Sequence, residues 1–175
     1  MKYVLPLVFI VMLYVVIKRA YETTPPPTVD TKALVAKAKA LQAAFDSGEV
    51  ESLIASVHPA IFNIVSREEF ERVARQSAES IADEVTTISQ VWGEPSAIYS
   101  SGQDEVCFLP RESVLEMSGR RVNSKGFWIA ARKKGTNEWL FLDGTGLRRN
   151  PELLWKLFPN LPKDIEVPPN KVELV

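Results

Sequence analysis

An apolar run of 15 residues, Tyr3 to Ile17, ends at Lys18-Arg19, and a proline-rich stretch, Thr23 to Thr28, follows almost at once. That order divides the chain into an anchor over residues 1–20, a linker over 21–30 and a domain over 31–175. A secretory leader needs small residues at its cleavage site, and here two cations stand in that place. The run is therefore read as an uncleaved, single-pass transmembrane helix. At 1.5 Å per residue it covers about 22 Å of a hydrocarbon core about 30 Å thick. Lys2, Lys18 and Arg19 can snorkel, and Tyr3 and Tyr21 suit the two interfaces, so modest thinning closes the gap. A short N-terminal tail ahead of a large domain is the layout of a signal anchor. The expectation is a bacterial inner-membrane protein whose soluble domain is exported.

Beyond residue 20 the chain holds 18 Lys and Arg against all 22 Asp and Glu, a net charge of −4. An acidic balance of this kind argues against nucleic acid, which attracts concentrated basic residues. The single cysteine, Cys107, lies in the apolar run Val106 to Leu109 and reads as an inert core thiol. One cysteine and one histidine leave no set of ligands for zinc, and no metal or cofactor is expected. Gly144-Thr145-Gly146 lacks the rest of either glycine-rich phosphate signature, and no G-x-S-x-G motif occurs.

The first part of the domain reads as helices. Leu34, Ala38, Leu41 and Phe45 fall on one helical face, and Gly48 ends it. Asp46 with Glu49 resembles a capping box for a second stripe, Val50, Leu53, Ile54 and Val57, which His58-Pro59 ends. Ser66 to Glu69 opens a third helix that carries Phe70, Val73, Ala74 and Ile81. After residue 84 β-branched and aromatic residues dominate, between short turn signals. Strands are expected over 85–92, 96–100, 104–118 (bent or interrupted at Pro110), 121–132 and 138–143. Connections this short imply antiparallel pairing. Asn150-Pro151-Glu152 then predicts a short helix with Asn150 as its N-cap. The expected class is α+β, with three N-terminal helices packed on one face of a strongly bent antiparallel sheet.

Within this layout, His58-Pro59 leads through Ile61-Phe62 to Ser66-Arg67-Glu68-Glu69-Phe70. Gly93-Glu94-Pro95-Ser96, Val106 to Pro110, Trp139 to Gly144 and Leu157-Phe158-Pro159 follow. In these segments the chain resembles the nuclear transport factor 2-like superfamily, also called SnoaL-like or cystatin-like. It is similar in particular to a bacterial family of that fold with no established activity. The resemblance covers residues 32–170 and implies a cone with a pocket between sheet and helices. Isomerase-like members of that fold place a carboxylate base and a phenol or acid donor in the pocket.

The catalytic candidates on that basis are Asp143, Tyr99 and His58. Each also has a plainer reading. Asp143-Gly144 is a common strand ending in which Asp bonds the local backbone. His58 at a helix end would cap carbonyls, and Tyr99 would be a half-exposed strand residue. Trp92, Phe127, Trp128, Trp139 and Phe141 are candidates to line a pocket, with Phe127-Trp128 and Trp139 with Phe141 on one sheet face. Such a pocket would suit a small apolar ligand. The leading expectation is a membrane-tethered binding or interaction domain without catalysis, open to a homodimer or a protein partner. The alternative is a small-substrate isomerase, dehydratase or hydrolase working through a pocket carboxylate.

Overall fold

The computed structural model describes residues 29–174. The expected anchor and all but the last two residues of the linker lie outside them. No helix among the described residues is long and apolar enough to cross a membrane.

The chain is α+β. Helix α1 spans Thr31–Asp46, and the Asp30 side chain caps it by accepting the N–H of Ala33 at 3.0 Å. It buries Leu34, Ala38, Leu41 and Gln42, one stripe of a 3.6-residue period, and Gly48 at φ +83° lets the chain leave. A five-residue helix, α2 (Glu51–Ala55), and a 3-10 turn at Pro59–Asn63 follow. The Asp46/Glu49 capping box does not form. The N-cap of α2 is Val50, without a side-chain bond, and Glu49 instead accepts a hydrogen bond from Ser52 Oγ at 3.2 Å. Helix α3 spans Arg67–Glu84 and is capped by Ser66, whose Oγ accepts the N–H of Glu69 at 3.2 Å. Val50 and Ile54 pack against Ala74 and Ala78 of α3.

Six antiparallel strands make the sheet: β1 (Val85–Trp92), β2 (Tyr99–Ser101), β3 (Asp104–Met117), β4 (Arg120–Lys133), β5 (Leu140–Asp143) and β6 (Lys171–Leu174). The hairpin β3–β4 is paired along its whole length, from Asp104↔Lys133 to Met117↔Arg120. Ser118 and Gly119 close it with φ of 51° and 74°, the positive angles that a two-residue hairpin turn requires. Each outer edge of the hairpin is shared by two strands. On β3, β1 covers 111–117 and β2 covers 104–106. On β4, β5 covers 128–131 and β6 covers 122–125.

Pro110 does not interrupt β3. Its carbonyl accepts the N–H of Gly93 at 2.9 Å, where β1 leaves the sheet, so the donor that proline lacks falls where the edge strand has ended. The expected strand 96–100 shrinks to Tyr99–Ser101 because Ser96 pairs with β3 irregularly. Its N–H donates to Phe108 O, and its Oγ accepts the N–H of Phe108, both at 2.9 Å. The strand expected at 138–143 begins only at Leu140, and β6 was not foreseen. Asn150 does not cap the last helix through its side chain. Helix α4 is Leu153–Leu157, and Asn150 contributes only its carbonyl, to the N–H of Leu153 at 3.1 Å.

The layers also differ from one-sided packing. Where β3 and β4 run through 104–109 and 128–133, both faces of the sheet are covered. Cys107, Leu109, Trp128, Ala130 and Phe141 pack under Leu34, Ala38 and Leu41 of α1. Val106, Phe108, Phe127, Ile129 and Leu142 pack on the other face against Leu147, Leu154, Leu157, Phe158 and Leu161 of the C-terminal segment. Double-sided burial explains why these strands read as continuous apolar runs. The far half of the hairpin is more exposed, although Ser113 and Val122 are buried, and carries cross-strand ion pairs, Lys125–Glu112 at 2.8 Å and Arg121–Glu116 at 3.9 Å.

Among the described residues one charge is fully enclosed. Arg132 is 2% exposed, donates from Nε to Glu105 Oε2 at 2.8 Å and from Nη1 to Asn137 Oδ1 at 3.0 Å, and lies 4.6 Å from the Trp139 ring centre. Removing one partner of a buried ion pair strands the other. Glu105→Ala is expected to cost about 3 kcal/mol in chemical denaturation. A loss below about 1 kcal/mol would show that Arg132 does not depend on this carboxylate.

Candidate functional site

The outer edge of β5 is closed by the residues that follow α2. His58 N–H donates to Phe141 O at 3.0 Å and Phe141 N–H donates to Ser56 O at 2.8 Å, a parallel bridge centred on Val57 and Phe141. Beside this bridge lies a cleft of about 180 Å³. Leu53, Ile61 and Phe70 form its helical wall, and Leu147, Leu153 and Leu157 its C-terminal wall. Trp128, Phe141 and Asp143 come from the sheet.

Asp143 is the one catalytic candidate that lines this cleft. Its side chain is 48% exposed, and Oδ1 accepts the N–H of Thr145 at 2.7 Å, which caps a 3-10 turn at Gly144–Arg148. Its Oδ2 stands 3.9 Å from Arg111 Nη2. Arg111 in turn donates to Gln42 Oε1 and lies 5.8 Å from the Trp92 ring centre. Gly144 has no alternative, because a Cβ there would sit 2.6 Å from both the ring and the carbonyl oxygen of Phe127.

His58 and Tyr99 are placed elsewhere. His58 is buried with its ring 5.3 Å from that of Phe158, and its Nδ1 accepts the N–H of Ala60 at 3.3 Å. It caps an amide at the start of the 3-10 turn, not the carbonyls expected of a helix end. The reason is Pro59, which starts a new turn rather than only ending the old one. Burial pushes the His58 pKa below the ordinary histidine value; Asp104 opposes this and Lys133 adds to it. Tyr99, in β2, pairs with Val106 of β3, and its ring lies 5.9 Å from that of Phe108.

The aromatic candidates divide between the two faces. Trp128 and Phe141 line the cleft, Trp92 stands edge-on to Trp128 at 5.5 Å, and Trp139 is buried in the same cluster under α1. Phe127 lies on the opposite face against Phe108. Successive residues of a strand point to opposite sides, so Phe127 and Trp128 cannot share one. The Trp128 indole N–H is buried without an acceptor, and the Trp92 and Phe141 rings are its aromatic neighbours.

Sequence reasoning passed over Arg111. It shares the inward parity of Cys107 and Leu109 along β3, and a charge on a core-facing position was the available signal. Among the described residues no group of three or more His, Cys, Asp or Glu is placed to hold a metal ion. Burial pushes the Cys107 thiol up to about 12, against the opposing pull of Arg132, so it stays protonated and inert.

No protein-family model, no curated protein and no solved structure matches this chain.

The depressed His58 pKa means that the unfolded chain takes up this proton before the folded one does. The stabilisation is complete above the ordinary value of 6.5 and is lost as pH falls through 6.5 towards the folded value. His58 is the sole histidine of the sequence, so the effect can be isolated. Thermal melts should show the wild type losing stability below about pH 6.5 relative to His58→Asn, whose Oδ1 can replace Nδ1 as the cap. Parallel pH profiles for the two proteins would contradict the assignment.

Proposed function

We propose that the chain is a membrane-tethered binding domain without catalysis, built as an NTF2-like cone and held by residues 3–17 at the bacterial inner membrane on the exported side. The apolar run and the proline-rich linker support the tether. The observation that carries the binding reading is the cleft beside β5. Its two walls supply leucine, isoleucine and phenylalanine, and the carboxylate at its rim is engaged in capping the turn that follows β5. Pockets that take small ligands are mostly apolar with few placed polar groups. A volume of about 180 Å³ is slightly above the roughly 150 Å³ that holds one benzene molecule. The cleft therefore suits one ring-sized group, free or carried by a protein partner.

One observation favours the enzymatic alternative: Asp143 does line the cleft, with Arg111 beside it. The expected pairing of a carboxylate base with a phenol or acid donor, however, needs a second group within reach of the substrate. Tyr99 and His58 are held in β2 and against Phe158 respectively.

Two substitutions in the full-length chain separate the readings, with toluene as the probe and NMR shifts of the Leu53 and Leu157 methyls as the readout. Leu153→Trp, which fills the cleft, is expected to abolish the shifts. Asp143→Asn keeps a capping oxygen and is expected to change affinity by less than about twofold. Wild-type protein that shows no shifts with toluene would overturn the cleft as a binding site. A turnover that Asp143→Asn abolishes at unchanged melting temperature would establish the enzyme instead.

A further inference from the structure

A second cleft lies where the outer edge of β4 changes partners. β5 ends opposite Trp128 and β6 begins opposite Lys125, so Gly126 and Phe127 have no strand beside them. The Asn170 side chain spans this gap. Its Nδ2 donates to Gly144 O at 2.7 Å, and its Oδ1 accepts from Arg148 Nε at 3.3 Å. The second bond orients the guanidinium through its inner nitrogen, and among the described residues no partner engages the outer fork, Nη1 and Nη2. No carboxylate among the described residues forms an ion pair with Arg148. Arg148 lines a cleft of about 290 Å³ whose apolar lining includes Phe127, Leu147, Trp155 and Val167.

We propose that this cleft binds an amphipathic monocarboxylate, with its apolar body on Phe127, Trp155 and Val167 and its carboxylate on the Arg148 fork. The chemistry follows from three features. A guanidinium fork matches the two oxygens of a carboxylate and gains most when a neighbour has already set its plane. One guanidinium balances one negative charge, which favours a monoanion over a phosphate dianion. The volume is about twice the roughly 150 Å³ that holds one benzene molecule, which is room for a medium-length chain. The site shares Leu147 with the β5 cleft but presents the opposite charge at its rim, Arg148 in place of Asp143. It goes beyond the binding reading above, and either site can fail while the other stands.

Titration calorimetry on the full-length chain in nanodiscs, with empty discs as the blank, tests the proposal. Octanoate should bind more tightly than octanol, which has the same chain and no charge. Arg148→Gln should weaken octanoate by at least about tenfold and leave octanol unchanged. Arg148→Lys keeps the charge without the fork and should retain part of the binding, which separates loss of the site from loss of the fold. Arg149→Gln should change octanoate affinity by less than about twofold. Octanoate that binds no better than octanol, or equally well to Arg148→Gln, overturns the proposal. So does an equal loss in Arg149→Gln, which would mark general attraction to a basic surface.

Discussion

The pairing of β3 with β4 is the constraint on which the rest of the structure depends. The two strands are bonded from Asp104↔Lys133 to Met117↔Arg120, and every other strand attaches to one of them. Neither outer edge is filled by a single strand. The near half of the hairpin is buried on both faces, under α1 on one and under the C-terminal segment on the other. The far half has solvent-facing ion pairs instead. Apolar burial of about 25 cal/mol per Å² therefore concentrates in residues 104–109 and 128–133, and both clefts adjoin that half.

Both clefts arise where this platform stops being continuous. The first lies beside the outer edge of β5, where the bridge from Ser56 to His58 satisfies the backbone of Phe141 but leaves room between the helical and C-terminal walls. The second lies in the gap between β5 and β6, where Asn170 takes the place of a strand. A split edge leaves backbone and side chains that no neighbouring strand covers. The C-terminal segment supplies Leu147 to both clefts, so its docking on Phe108, Phe127 and Ile129 shapes both. Positions such as Gly144 are fixed by closeness rather than by flexibility, since the Phe127 carbonyl fills the space a side chain would need.

Much of this was legible in the sequence, for physical reasons that can be named. The stripe Leu34, Ala38, Leu41 marked α1, and the β-branched and aromatic composition after residue 84 marked an antiparallel sheet, whereas the strand order around the β3–β4 hairpin was not marked. Pro110 misled because a proline is harmless at a strand edge whose neighbour has just departed, and sequence does not show departures. β6 is four exposed residues held by register with β4 alone, too short for alternation to register. The burial of both faces hid the parity of Phe127 and Trp128, since each face reads as apolar. Asp143 stood out as a candidate from its strand-end position, whereas Arg111 and the Arg148–Asn170 pair depend on contacts across 69 and 22 residues that no local pattern carries.

The central claim is that the domain works by holding something rather than by converting it. Native mass spectrometry of the intact chain, purified from cells in nanodiscs and released in the gas phase, addresses it most directly. The account predicts a reproducible bound mass, a small molecule or a protein partner, that survives Asp143→Asn and is unaltered on prolonged incubation. A chain that carries no bound mass and no partner, or a bound molecule whose mass changes on incubation with the wild type but not with Asp143→Asn, would contradict it.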